Sequence, residues 1–379
     1  MKKILLLFVL VTFFTHLNAQ QEEYGEFLQN AITAVKDGRI KEFNTNFRYF
    51  VAAMNQQEIT PESLTKENYD LFSECILWGV TSKFITAEDL KTDLTRFLEF
   101  DTENHPANLY TLGALYFSGI GVKQDYEKAK NWYEKGVEKD EMWSCVGLGV
   151  MYLTGLGVEK DVKKAMSYYQ KSADLGNTSA LSGLASIYQN GKLFGVKTDT
   201  SKAIGLYKQA IEKANDFEKG MYMSALATLY ESMNNKKEAE NWYSKAKEHN
   251  EIQAGKGNVF AMQGLGAMYQ NGNGVEKDTG KAIEWYEKSA DLGNTSAMVI
   301  IGVIYQYGNG VEKDKDMEKA IHWYEKAAEK NDFSAMSLLG TLYQYGNGVE
   351  KNIEKAKEWY KKSCEAGFET ACQSYETLK

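Results

Sequence analysis

Proline is nearly missing from this sequence, with two in 379 residues. An interior proline breaks or kinks a helix, so its scarcity leaves long stretches free to be helical. Cysteine, at four, is too sparse for a disulfide-dense scaffold. Histidine is as rare, and His105, His249 and His322 show no H-E-x-x-H spacing, so they read as ordinary polar positions and no metal or cofactor is expected. Net positive charge is missing as well. A formal charge of −8 makes nucleic acid or an anionic lipid surface a poor partner. What is present is 43% hydrophobic and 13% aromatic residues, which suits a long helical core and not disorder.

Only one long apolar run occurs, from Ile4 to Phe14, behind Lys2 and Lys3 and ahead of Asn18, Ala19 and Gln20. It is too short to span a bilayer, and residues 1–19 read as a secretory signal peptide. No cysteine follows Ala19, which argues against a lipid anchor. The expectation is export, to a periplasm or the medium, and loss of Lys2 and Lys3 lowers the formal charge by two more.

Beyond His105 the chain repeats itself. In the stretch from Asn258 to Gly293, Ala261, Leu265 and Tyr269 lie four apart on one helical stripe, with Gly266 allowing close approach. Gly272-Asn273-Gly274-Val275 ends that helix, since Gly and Asn tolerate positive φ. Asp278 then opens a second helix as a cap, and Ala282, Trp285, Tyr286 and Ser289 form its apolar stripe. Seven copies are centred on Leu112, Leu148, Leu184, Leu226, Leu265, Ile301 and Leu339, with a 36-residue step from Leu112 to Leu148, from Leu148 to Leu184 and from Leu265 to Ile301. The cap recurs as Asp125, Asp161, Asp199, Asn235, Asp278, Asp316 and Asn352. Ile301 to Leu339 takes 38 residues, and the two extra fall in the corner before Asp316. Such a unit cannot bury its own apolar face, so copies must stack into an all-α solenoid of helix pairs.

The pattern L-G-x-x-Y, G-x-G-V, K-A-x-x-W-Y, seen in Leu265-Gly266, Tyr269, Gly272, Gly274-Val275, Lys281-Ala282 and Trp285-Tyr286, resembles the Sel1-like repeats, relatives of tetratricopeptide repeats. The resemblance covers roughly Pro106 to Cys372. It implies a right-handed superhelix of antiparallel helices acting mainly as an adaptor in protein complexes. The fourth copy departs from it, with a corner cut to Met233-Asn234-Asn235 and extra residues before Leu226 and after Trp242, so the stack should shift there. Cys364 and Cys372 look like the pair that staples successive helices in cysteine-rich Sel1-like proteins. Cys145 stands where Cys372 does, but Val137 occupies its partner's place, so Cys75 and Cys145 are expected to be buried thiols.

The expected domains are the leader at 1–19, an N-terminal helical domain or cap at 20–104, seven repeats at 105–367 and a capping helix at 368–379. Pro106 marks the start of the repeats, at a first helical turn where its missing N–H costs nothing. The tryptophans of the W-Y pairs, Trp132, Trp242, Trp285, Trp323 and Trp359, are expected in the core rather than as sugar platforms.

Transferring the groove positions of tetratricopeptide-like stacks onto the first helices selects candidate partner-binding residues. These are Tyr110, Phe117 and Trp143, then Phe260, Gln263 and Gln270, then Val299, Val303, Gln306 and Tyr307, then Ser337, Thr341, Gln344 and Tyr345. Val146, Val150, Ser182, Ser186 and Gln189 join them in the earlier copies, and Glu231 is the exception in a nearly uncharged set. A neutral groove of this kind suits an apolar peptide with amide contacts. The alternative is that these residues simply pack between repeats. A competing function, a penicillin-binding or β-lactamase type of enzyme, would rest on Ser63-Leu64-Thr65-Lys66, which has S-x-x-K spacing but lacks S-D-N and K-T-G partners. The expectation is therefore a non-catalytic exported scaffold that binds protein or peptide.

Overall fold

A computed structural model describes residues 106–119, 122–308, 315–330, 332–366 and 368–378, together with 28–30, 33, 98, 99 and 102. The leader, Ser63, Cys75, His105 and nearly all of the expected N-terminal domain lie outside these residues. Among the described residues every regular element is an α-helix.

The helices alternate as first and second members of a pair. The first repeat pairs α1 (Ala107–Ser118) with α2 (Tyr126–Glu138), the second α3 (Met142–Thr154) with α4 (Val162–Asp174), and the third α5 (Thr178–Gln189) with α6 (Thr200–Lys213). The fourth pairs α7 (Asp216–Ser232) with α8 (Lys236–Gly255). The fifth, sixth and seventh are α9 (Val259–Asn271) with α10 (Thr279–Asp291), α11 (Thr295–Tyr307) with α12 (Met317–Ala328), and α13 (Phe333–Tyr345) with α14 (Ile353–Glu365). The short α15 (Glu369–Leu378) follows. Each helix packs most heavily on the partner in its own pair and next on its other neighbour in sequence, as a solenoid of nearest neighbours requires.

Every second helix starts on the expected cap. The side chains of Asp125, Asp161, Asp199, Asn235, Asp278, Asp316 and Asn352 each accept from the backbone N–H three residues on. Their own N–H groups close the corner. Each donates to the carbonyl of the tyrosine that ends the L-G-x-x-Y pattern, from Asp125 to Tyr116 through to Asn352 to Tyr343, at 2.8–3.0 Å. The bond is unchanged whether the corner is short, as between Tyr230 and Asn235, or long, as between Tyr305 and Asp316. The first helices carry caps of their own, at Glu141, Asn177, Asn215, Asn258, Asn294 and Asp332. Pro106 is the N-cap of α1, one residue outside the helix.

The core is a ladder of Leu112, Leu148, Leu184, Leu226, Leu265, Ile301 and Leu339, each at most 2% exposed, facing Ala129 and its equivalents on the second helices. Full burial of one such leucine stabilises by about 2 kcal/mol. Gly266 is used by the tyrosine of its own repeat, since a Cβ there would sit 2.6 Å from the Tyr286 ring. Ser172, Ser289 and Ser363 tie each second helix to the first turn of its partner, donating to the carbonyls of Met142, Val259 and Phe333.

The fourth repeat is built longer. Its helices have 17 and 20 residues where α9 and α10 have 13 each. Asn234, at φ 60°, supplies the left-handed residue that glycine provides elsewhere. The extra length shifts the stack. In the second and seventh repeats the corner glycine lies against the first residue of the preceding second helix, Gly157 on Tyr126 and Gly348 on Met317. In the fifth repeat Gly274 lies instead against Tyr243. That contact is seven residues further along α8, about 10 Å at 1.5 Å per residue.

Candidate functional site

The glutamines of the candidate groove have a structural duty that the sequence reading did not foresee. Five residues past each central Leu or Ile, a side-chain oxygen accepts the hydroxyl of the second helix's buried tyrosine. Gln270 accepts from Tyr286 at 2.7 Å, Gln306 from Tyr324 at 2.6 Å and Gln344 from Tyr360 at 2.8 Å. Gln189 accepts from Tyr207 at 3.3 Å, and Glu231 takes the same place toward Tyr243 at 2.8 Å. Burial raises all five tyrosines above the usual phenol range, Tyr243 and Tyr286 to about 12. A signal for this bond was present, because Gln or Glu recurs at that step in five copies that all carry the tyrosine. Each glutamine spends its carbonyl on the core and keeps its amide N–H groups for another acceptor.

Other members of the set are also engaged with the fold. Gln263 accepts from Asn294, the cap of the next first helix, at 3.0 Å. Thr341 donates to the Ser337 carbonyl and lies 3.0 Å from the Tyr360 hydroxyl. Val299 and Val303 are half-buried against the core, and Phe260 is half-buried. Tyr307 and Tyr345 differ. They occupy the same step of successive repeats and are 58% and 64% exposed.

In the first two repeats the candidates form an aromatic cluster. Tyr110 stacks on Tyr133 at 5.7 Å and leans on Trp143 at 5.9 Å, while Phe117 meets Tyr126 edge-on at 5.4 Å. Burial pushes the Tyr110 hydroxyl far up, with the nearby Glu141 carboxylate adding to it. Glu141 is buried too, which raises its carboxyl, although its two oxygens cap α3 through the N–H groups of Trp143 and Ser144. These side chains are structural partners of one another.

The tryptophans correct an expectation. Trp132, Trp242, Trp285, Trp323 and Trp359 are half-buried, and the core position belongs to the tyrosine that follows each one. A lysine three residues on lies over each indole, 4.0 Å above Trp285 and 4.6 Å above Trp359. The indole face needs to be reachable for that contact, and the lysine methylenes cover it. Tyr269 is likewise only half-buried, with Lys281 5.7 Å above its ring. Equivalent lysines cover Tyr116, Tyr152, Tyr188, Tyr305 and Tyr343.

Among the described residues no group of three His, Cys, Asp or Glu side chains could hold a metal ion. His249 bonds the Asp216 carbonyl at 2.8 Å, and His322 lies edge-on to Trp323. The Cys364 and Cys372 sulfurs lie 2.06 Å apart, linking the end of α14 to α15, and Cys145 is a buried thiol. No helix among the described residues is long and apolar enough to cross a membrane.

Among solved structures, the chain is similar to c5321, a protective antigen of uropathogenic Escherichia coli. The two are 27% identical over 89% of this chain and 72% of the other, with a TM-score of 0.36. It is also similar to a Sel1 repeat protein from Oxalobacter formigenes, at 29% identity over 72% of this chain and 93% of the other, with a TM-score of 0.35. Sel1 repeats are matched at residues 109–141, 144–177, 178–215, 220–251, 259–294, 295–332 and 333–368. These seven spans contain the seven central residues read from the sequence, the irregular fourth copy included. Covering well over half of the chain, they place this protein in the Sel1 repeat family, whose members are generally non-catalytic scaffolds for protein–protein interaction.

Proposed function

We propose that this chain is an exported, non-catalytic scaffold that holds a partner polypeptide along the first helices of its fifth to seventh repeats. The observation that carries the reading is the pair Tyr307 and Tyr345, exposed at the same step of adjacent repeats. Tyrosine suits this place because it offers a large apolar face and a polar tip at small entropic cost. Beside each stands a glutamine, Gln306 or Gln344, with amide N–H groups free of the core bond. Neutral donors beside aromatic rings suit a peptide backbone with apolar side chains. The leader-like residues 1–19 support export, to a periplasm or the medium, and the acidic chain disfavours nucleic acid as a partner.

The test is a crosslinked pull-down from the native cell envelope and medium, comparing the wild type with Tyr307→Glu/Tyr345→Glu. Both side chains are exposed, so the fold should survive, with circular dichroism as the check. A partner captured by the wild type and lost by the variant supports this strip. Equal capture by both refutes it. Fractionation of the native protein checks export, and recovery in the cytoplasm at full unprocessed mass would refute that part.

A further inference from the structure

The register shift of the fourth repeat opens a cavity. Because the corner of the fifth repeat sits at Tyr243, the first two turns of α8 stand clear of it. The step forms a half-open cleft of about 570 Å³, lined on one side by Glu231, Asn234, Lys236, Ala239, Glu240 and Tyr243, and on the other by Gly272, Gly274, Val275 and Glu276. Pockets that hold small molecules or peptide side chains run from about 300 to 1,000 Å³, so this space exceeds what a bare ion needs.

Its chemistry departs from the rest of the array. Three carboxylates, Glu231, Glu240 and Glu276, face one ammonium, Lys236. None of the four makes a salt bridge among the described residues. Glu231 is the telling residue. The third, fifth, sixth and seventh repeats place glutamine at its step, and glutamine makes the same bond to the tyrosine hydroxyl. The core therefore does not need a charge there. Only in the repeat where the cavity opens is the neutral amide replaced by a carboxylate. The Tyr243 hydroxyl holds one of its oxygens at 2.8 Å, which orients the group and leaves the second oxygen able to accept. Ala239, Val275 and Tyr243 supply the apolar part of the lining. The carboxylates do not form a metal-holding group.

We propose that this step binds a basic segment of a partner polypeptide, with an arginine or lysine head group among Glu231, Glu240 and Glu276 and its methylenes on Ala239, Val275 and Tyr243. An anion is repelled by the lining. A guanidinium satisfies two carboxylates at once, and its long stem suits the apolar part of the lining. This second contact is opposite in character to the neutral tyrosine strip and does not depend on it.

The experiment uses the purified mature chain and a fluorescein-labelled peptide alternating glycine and arginine, followed by anisotropy at low salt. A glycine and glutamate peptide of equal length is the negative probe. The pocket variant is Glu231→Gln/Glu240→Gln/Glu276→Gln, and the control, with the same charge change, is Glu127→Gln/Glu159→Gln/Glu350→Gln at exposed sites elsewhere. Glu231→Gln recreates the residue of the neighbouring repeats, so the fold should persist, as a thermal melt will verify. The expected result is about a tenfold loss of affinity for the arginine peptide in the pocket variant and less than about a twofold change in the control. Equal losses in both variants would mean simple attraction to an acidic protein and would overturn the proposal. So would full retention in the pocket variant, or binding of the glutamate peptide.

Discussion

The fourth repeat and the three that follow it are made of the same unit to different lengths. α9, α11 and α13 are each 13 residues long and end on Gly272, Gly308 and Gly346. α7 has 17 residues and reaches its turn through Met233 and Asn234. The identity of the unit therefore does not reside in helix length or in glycine. It resides in three contacts that both regions keep: the side-chain cap, the cap N–H to tyrosine carbonyl, and the tyrosine hydroxyl to the Gln or Glu opposite. What the fourth repeat gives up is the covering lysine, since Glu238 stands where Lys281 and Lys319 stand, and the alignment of its corner with the next.

Alkali should break both regions at once, and this is the largest effect expected. Tyr169, Tyr222, Tyr243 and Tyr286 are raised to about 12 by burial. A phenol whose folded pKa is raised contributes stability that is intact below its unfolded value near 10 and lost as pH climbs toward the folded value. Far-ultraviolet dichroism should therefore fall between about pH 10 and 12 together with phenolate absorbance. Ionisation at pH 10 with helicity intact would contradict the buried ladder.

Next comes the close helix approach. A Cβ on Gly302 would meet the Tyr324 ring at 2.5 Å, whereas the fourth repeat already holds Ala227 at that step. Gly302→Val should cost about 3 kcal/mol in chemical denaturation, while Ala227→Gly should cost only about 1 kcal/mol of helix propensity. Comparable costs would deny the difference in packing. At the end of the regular block, Cys364→Ser/Cys372→Ser should cost about 2–3 kcal/mol, confined to α15. Hydrogen exchange should show that helix opening while α9 to α13 stay protected, and an unchanged α15 would count against the link.

The caps give a finer comparison. Asp161 accepts at 2.9 Å and Asn235 at 3.4 Å. Asp161→Ala should cost about 1 kcal/mol and Asn235→Ala less, by thermal melts of the two variants. The smallest effect belongs to Glu231→Gln. It should shift stability by less than about 0.5 kcal/mol, yet lower the Tyr243 pKa, because the carboxylate is one of the groups that raise it. A large loss of stability would show that the charge serves the core.

Much of this was readable in the sequence for a local reason. Caps act within three residues and the 3.6-residue stripe within one helix, so Asp278, Leu265 and Ala282 announce their places from their neighbours alone. The candidate groove was less legible. Gln270 and Tyr345 occupy equivalent stretches of similar helices, yet one is bonded to the core and the other is open. Trp285 misled in the opposite direction, because an aromatic at a repeat position can lie on the core's rim and be covered by Lys288.

By itself the sequence determined the all-helical class, the number of repeats, their caps and the place where regularity fails. Each of these follows from residue pattern over one turn or one unit. Tertiary structure alone decided which tyrosine is exposed and that seven extra residues in α8 open a step at Tyr243. Those outcomes depend on how one helix pair seats against the next, through contacts such as Thr178 to Glu218 and Asn294 to Gln263, 40 and 31 residues apart in the chain, that no local pattern encodes.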